Sequence, residues 1–130
     1  MIVLDASAVI ELVLSKPAAD VIRRRLLWAK ETLHAPHLLD LEVIQVVRRH
    51  LSKGEIDLLR AEIALADFAD LPIVRYPHGR NLPRIWELRN NLTAYDAAYV
   101  ALAEMLDAPL LTCDRRLASA AGHHARVDLI

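Results

Sequence analysis

An α/β fold built on a parallel sheet is what this 130-residue sequence predicts, and three observations predict it. Short apolar runs, Ile2-Val3-Leu4 and Leu110-Leu111-Thr112-Cys113 among them, have the length and boundaries of buried strands. Longer apolar-periodic segments of helical length lie between such runs. Strands alternating with helices imply parallel pairing, a central mostly parallel sheet of 4–5 strands with helices on both faces. The composition, 55% hydrophobic with three glycines, suits a compact helix-rich chain and not a disordered one. The length fits a single domain over residues 1–130 with a sizeable core.

The elements follow in order. Residues 2–4 form the first strand, and a short helix follows Ser7. Pro17 opens a second helix to about Glu31, because proline is favoured in a first helical turn. Residues 33–35 make a short strand stopped by Pro36. Residues 38–50 are apolar on nearly all sides, which predicts a largely buried helix, and Gly54 supplies its stop. A helix over 55–69 leads to a strand over 72–76 centred on Ile73 and Val74. Asn81 and Pro83 begin a helix ending near Asn90 and Asn91. Thr93 caps a strongly apolar helix over 94–106. A strand at 110–113, a short helix at 115–121 and a last strand at 126–129 complete the chain. Trp28 and Trp86 are expected in the core, since aromatic residues at helical spacing usually pack inside.

Charge and composition narrow the function. Apolar runs are short and broken by charge, so no membrane span is expected. Asp5 and Glu11 interrupt the first apolar run and no basic segment precedes it, which argues against a signal peptide and for a cytoplasmic protein. The single cysteine, Cys113, excludes an intrachain disulfide and a cysteine-based zinc site. His34 and His37 flank a proline turn and His123-His124 lie near the C-terminus, and no pair has zinc-ligand spacing. No glycine loop could cradle phosphates, and no nucleophile elbow is present. The net charge is −1, but arginine outnumbers lysine thirteen to three and clusters at Arg23-Arg24-Arg25, Arg48-Arg49 and Arg115-Arg116. Arginine forks match phosphate oxygens, although solvated helix faces with ordinary ion pairs explain any one cluster equally simply.

Four acids carry the chemistry: Asp5, Glu42, Asp96 and Asp114. Asp5 and Asp114 end predicted strands, while Glu42 and Asp96 lie near predicted helix starts. In an open parallel sheet those positions share one edge, where ligands bind. Four carboxylates there would repel one another and raise each other's pKa. A hard cation, Mg²⁺ or Mn²⁺, removes that conflict through oxygen ligands. Each acid has a structural alternative. Asp5 or Ser7 could cap the first helix. Glu42 sits where a helix dipole favours an acid, and Asp40 competes with it for the site. Thr93-Ala94-Tyr95-Asp96 has capping-box spacing, though Asp reaches back less well than Glu. Asp114 could cap the helix that follows it.

Taken together, Met1-Ile2-Val3-Leu4-Asp5-Ala6-Ser7, Leu39-Asp40-Leu41-Glu42-Val43 after Pro36, Leu92-Thr93-Ala94-Tyr95-Asp96-Ala97-Ala98-Tyr99 and Leu110-Leu111-Thr112-Cys113-Asp114-Arg115-Arg116 resemble, in order, the motifs of PIN-domain ribonucleases. Length and the Tyr-Asp-Ala helix are similar to the VapC-type toxins of toxin–antitoxin systems. The resemblance implies a PIN-like three-layer sandwich and a Mg²⁺- or Mn²⁺-dependent endoribonuclease. It implies that Asp5, Glu42, Asp96 and Asp114 form the acidic cluster, with Ser7 and Thr112 as supporting hydroxyls. It also implies a homodimer and a VapB-type antitoxin whose C-terminal segment covers the active-site groove. Gln45, His37 and Asp107 depart from the asparagine, serine and glycine common at those positions, and none removes a ligand.

The mechanism expected on this basis is in-line water attack on an RNA phosphodiester, yielding a 5′-phosphate and a 3′-hydroxyl. Two ions, if bound, would sit roughly 3.5–4 Å apart. Single-stranded or loop RNA is the expected substrate, with Arg89, Arg115 and Arg116 as candidate phosphate contacts. A non-catalytic PIN-like RNA- or protein-binding module is the alternative. A DNA nuclease would use the same metal chemistry. A receiver domain needs a lysine after a late strand, and Lys16, Lys30 and Lys53 all lie in the first half.

Overall fold

A computed structural model describes residues 1–130, the side chain of Ala29 excepted. Five strands, β1 (Ile2–Leu4), β2 (Leu33–Pro36), β3 (Ile73–Tyr76), β4 (Leu110–Thr112) and β5 (Val127–Leu129), pair in the order β3-β2-β1-β4-β5, and all four pairings are parallel. The central strands β1 and β4 are wholly buried, as expected of strands covered on both faces. The α/β sandwich predicted from the sequence is therefore the fold observed.

The connections decide where a site can form. Helices α1 (Ala6–Val13) and α2 (Ala19–Ala29) join β1 to β2. Helices α3 (Leu38–Ser52) and α4 (Leu58–Asp70) join β2 to β3. The return to β4 runs through α5 (Leu82–Glu87) and α6 (Ala94–Leu106), and α7 (Arg115–Ser119) leads to β5. Right-handed crossovers put the first four helices on one face and α5 and α6 on the other. Helix α1 accordingly packs on α2, α3 and α4, while α6 packs on β1, β2 and β4. The chain leaves β1 in one direction and β4 in the other, so the crevice at their carboxyl ends is a topological switch point.

Several boundaries and burial expectations need correction. Helix α2 begins two residues after Pro17 and stops at Ala29, because Lys30 takes a left-handed conformation at φ 48°. The segment expected as one helix up to Asn91 is α5 between two 3₁₀ turns, Gly79–Asn81 and Leu88–Asn90. Helix α3 is not buried all round. Leu39, Val43 and Val47, one turn apart, face the core, whereas Leu41 is 68% exposed and Ile44 49%. Neither tryptophan is in the core. Trp28 is 90% exposed near the end of α2, and Trp86 is 68% exposed beneath the Arg89 guanidinium, 4.7 Å from its ring centre. The core is built instead from Tyr99 and aliphatic residues such as Ile2, Leu4, Ile22, Leu39, Leu102 and Leu110. Asp107 occupies the left-handed C-cap of α6 at φ 47°, a position asparagine, aspartate and glycine tolerate best.

Candidate functional site

Val3 pairs with Leu110 and Leu4 with Leu111, so Asp5 follows β1 opposite Thr112 at the end of β4, and Asp114 comes two residues farther on. Asp5 stands at the N-cap position of α1 but makes no side-chain cap bond. Its buried Oδ2 instead accepts from Ser7 Oγ at 2.5 Å and from Thr112 Oγ1 at 2.7 Å. Each hydroxyl has one proton, so the 3.2 Å approach of Ser7 to Thr112 is not a further bond while both donate to Asp5. The hydroxyl oxygens are filled from the other side: Cys113 N–H donates to Ser7 Oγ at 2.9 Å and Asp114 N–H to Thr112 Oγ1 at 3.0 Å. Both supporting hydroxyls predicted from the sequence therefore grip the first acid, and they tie β1, α1 and the end of β4 into one network.

Asp114 does two things. It caps α7, its Oδ1 accepting from Arg116 N–H at 2.8 Å and Leu117 N–H at 3.4 Å. The structural alternative is thus true of one oxygen and leaves the other for the crevice. Asp96 sits in the first turn of α6. The Thr93 hydroxyl accepts Asp96 N–H at 3.1 Å, which is half a capping box; no return bond from the Asp96 carboxylate to Thr93 N–H forms among the described residues.

Tertiary contacts give Asp40 and Glu42 different partners. Asp40 is ion-paired with Arg75 of β3 at 3.0 Å. Glu42 Oε2 accepts the hydroxyl of Tyr99, a fully buried residue of α6. Tyr99 is the site residue to which sequence reasoning assigns no role. A signal for it is present all the same: a tyrosine inside the apolar stretch Ala97-Ala98-Tyr99-Val100-Ala101 must find a partner for its hydroxyl.

Electrostatics link the four acids. Burial pushes the Glu42 carboxyl above the usual carboxylate range; the Tyr99 hydroxyl opposes this, and the charges of Asp5 and Asp96 reinforce it. Burial likewise raises Asp96, the Thr93 hydroxyl and Arg116 lower it, and Asp5 and Asp114 raise it further. Each perturbed acid thus feels two others of the cluster. Among the described residues no three Asp, Glu, His or Cys side chains are drawn into a ready-made cage. Mutual repulsion keeps like charges apart, and Mg²⁺ sites commonly use one or two carboxylates plus water and phosphate.

The surroundings are basic and apolar in turn. Arg115 and Arg116 open α7 beside Asp114, both exposed, with Arg116 Nε 3.9 Å from Asp114. Arg89 stacks on Trp86 and donates to the Trp86 carbonyl at 3.0 Å, so it is less free than those two. A groove of about 400 Å³ lies beside Glu42, lined by Ala6, Leu38, Leu41, Gln45, Arg49 and Tyr95. The Gln45 amide oxygen turns to Arg48 Nε at 3.0 Å. Among the described residues no histidine is hydrogen-bonded to any of the four acids. His34 is buried between the Thr32 and Tyr76 hydroxyls, and burial lowers its pKa. Burial raises the Cys113 thiol, with Glu11 and Asp5 adding to the effect, which favours the neutral form.

A sequence profile described as PIN domain matches residues 2–123. Ribonuclease VapC12 of Mycobacterium tuberculosis is 44% identical over 130 residues, covering 100% of this chain and 99% of that protein. Ribonuclease VapC1 of the same organism is 45% identical, covering 98% and 96%. Among solved structures, VapBC2 from Rickettsia felis, bound to a DNA fragment from its promoter, superposes with a TM-score of 0.71 at 14% identity, covering 99% of this chain and 98% of that one. That last likeness concerns the fold. No helix of this protein is long and apolar enough to cross a membrane.

Proposed function

The chain belongs to the PIN-domain family, in its VapC ribonuclease branch, and from that premise we propose that it is a metal-dependent endoribonuclease toxin. One observation carries the chemical reading. Asp5 and Asp114 follow the carboxyl ends of the two strands that flank the switch point, and Glu42 and Asp96 are pushed up by burial and by the charges of fellow acids, which supports reading the four as one set. Such a donor set is all oxygen and strained by its own charge, so it fits a hard cation. Asp5, Glu42, Asp96 and Asp114 would hold Mg²⁺ or Mn²⁺. When bound, the ion supplies polarisation of the scissile phosphate and acidification of an attacking water.

The protein's own groups do the positioning. Ser7 and Thr112 fix the Asp5 carboxylate through Oδ2, and Oδ1 has no hydrogen-bond partner among the described residues. The α7 backbone fixes Asp114 through Oδ1, and Oδ2 has no hydrogen-bond partner among the described residues. Arg115 and Arg116 supply positive charge at the rim, where an RNA backbone would approach. Phosphoryl transfer depends chiefly on such positioning and charge stabilisation. In-line attack by water leaves a 5′-phosphate and a 3′-hydroxyl.

A VapB-type antitoxin and a second copy of the chain are the partners this reading implies, with the cytoplasm as the place of action. Exposed apolar side chains, Leu27 and Trp28 on α2 and Leu41 and Ile44 on α3, offer surface for both.

The test is RNA cleavage by purified, antitoxin-free protein with Mg²⁺ or Mn²⁺, against EDTA and against the Asp5→Asn/Asp96→Asn variant, with single-stranded DNA in parallel. Metal-dependent cutting of RNA lost in the variant is the expected result. Metal binding with no cutting of a broad RNA pool would favour a binding module, and a 2′,3′-cyclic phosphate product would refute water attack.

A further inference from the structure

We propose that Tyr99 is a positioning residue for the acidic site: its buried hydroxyl holds the Glu42 carboxylate in the one orientation that joins α3 to the other three acids. This inference rests on the nuclease reading above. Glu42 is the long acid of the four, with one more rotatable bond than the three aspartates and correspondingly more freedom to lose. Two of the short acids have their carboxylates held directly: Asp5 by the Ser7 and Thr112 hydroxyls and Asp114 by two backbone N–H groups, while Asp96 has its backbone N–H bonded to the Thr93 hydroxyl. Glu42 has no comparable restraint on its own helix. Gln45, three residues on, turns its amide oxygen to Arg48. The restraint comes from the opposite face of the sheet, through Tyr99.

Tyr99 and Asp96 are three residues apart on α6 and so lie on one helix face. The same turn of α6 therefore presents one acid and anchors another that lies 57 residues away in sequence. The ring is 1% exposed and packed among core residues, so the hydroxyl cannot swing to water. With Oε2 bound to Tyr99, Oε1 of Glu42 is left without a protein hydrogen bond among the described residues.

The experiment is a double-mutant cycle with Tyr99→Phe and Glu42→Ala, read by Mn²⁺ titration followed by electron paramagnetic resonance and by RNA cleavage kinetics. Tyr76→Phe, which deletes another internal tyrosine hydroxyl on His34, is the control for hydroxyl loss as such. Loss of a hydrogen bond to a charged group predicts that Tyr99→Phe weakens Mn²⁺ binding and lowers kcat by about tenfold each, with KM for RNA nearly constant. In the Glu42→Ala background the same change should cost nothing further in Mn²⁺ affinity. A Tyr99→Phe protein with wild-type Mn²⁺ affinity and kcat would overturn the positioning role, as would an equal loss with Glu42 absent. A wild-type chain that neither binds Mn²⁺ nor cuts RNA would overturn the nuclease reading and this role with it. If Tyr76→Phe matches the Tyr99→Phe losses, the effect is general to the fold and the role is refuted.

Discussion

Thr112, at the end of β4, donates its hydroxyl to Asp5, just past the end of β1, at 2.7 Å, while accepting the N–H of Asp114 at 3.0 Å. One buried hydroxyl thereby fixes the relative positions of the first and fourth acids. Thr112→Val keeps the shape and removes both bonds. A buried N–H is left without its acceptor and a buried carboxylate loses one of its two donors, so the cost should be about 1–3 kcal/mol. Urea unfolding measures that cost, and RNA cleavage should fall with it. Unchanged stability and turnover would show that Ser7 alone suffices.

Stability should vary with pH in the direction set by the raised acids. Glu42 and Asp96 have folded pKa values above their ordinary ones, mainly through burial. In the window from the ordinary values near 4.5 and 3.8 up to the raised ones, the folded state binds more protons than the unfolded. These two groups therefore contribute most at low pH, and their contribution is lost as pH rises through the folded pKa. Above the folded pKa values the metal-free protein carries the full penalty. Asp96→Asn should raise Tm at pH 7 in EDTA while abolishing cleavage, and Mg²⁺ should raise the Tm of the wild type but not of the variant. A lower Tm for Asp96→Asn in EDTA would contradict the electrostatic account. Such opposition of stability and activity is common where like charges are gathered for function.

Arg84 makes the opposite kind of contact. Its guanidinium grips Glu104 through two bonds, 2.7 and 3.0 Å, and reaches the Gly122 carbonyl at 3.3 Å; Glu104 also accepts His124 N–H at 2.8 Å. The cluster ties α5, α6 and the segment before β5 together. Hydrogen bonding to Arg84 is the largest cause holding the Glu104 carboxyl below its ordinary pKa. That stability is present above the ordinary value of 4.5 and is lost as pH falls through the lower folded one. Arg84→Ala should cost about 2 kcal/mol at pH 7, and its unfolding free energy should fall less steeply below pH 4.5 than that of the wild type. Parallel acid limbs in urea denaturation would refute the linkage.

Gly122 should resist substitution. It adopts φ +86°, and a Cβ there would lie 2.5 Å from the Asn91 side-chain nitrogen. Gly122→Ala is expected to cost at least about 1 kcal/mol, against a smaller loss for Gly54→Ala, which has open space at a similar φ. Paired thermal melts test the difference.

Trp28→Ser should leave the stability of the isolated chain within about 0.5 kcal/mol of wild type, since a residue 90% exposed gives up little burial. Its fluorescence should be water-like, while that of Trp86 reports the Arg89 guanidinium stacked on it. A loss of several kcal/mol on removing Trp28 would mean that the indole packs in solution.

Arg115 and Arg116 are exposed at the start of α7, Arg116 3.9 Å from Asp114, whereas Arg89 is stacked on Trp86. Replacing either of the first two by Gln should weaken RNA binding and lower the salt slope by about 0.7 for each phosphate no longer neutralised. Arg89→Gln should change the slope less. Equal slopes in all three variants would remove these arginines from the interface.

What the sequence determined by itself was whatever rests on near neighbours. Apolar runs and their periods mark the strands and helices, Thr93 and Gly54 mark helix ends, and four acids stand where strands end and helices begin. Parallel pairing then follows, because βα alternation leaves few other topologies. Long-range contacts made the choice among local equals. Asp40 and Glu42 lie on the same turn of α3 and differ little as sequence; Arg75, 35 residues away, neutralises the first, and Tyr99, 57 residues away, engages the second. Asp5 reads as a helix cap until Thr112, 107 residues away, takes its carboxylate. Trp28 reads as core until the fold leaves it 90% exposed. Hydrophobic periodicity says that a face is buried, but the partner of a polar side chain depends on which distant elements the sheet order brings beside it.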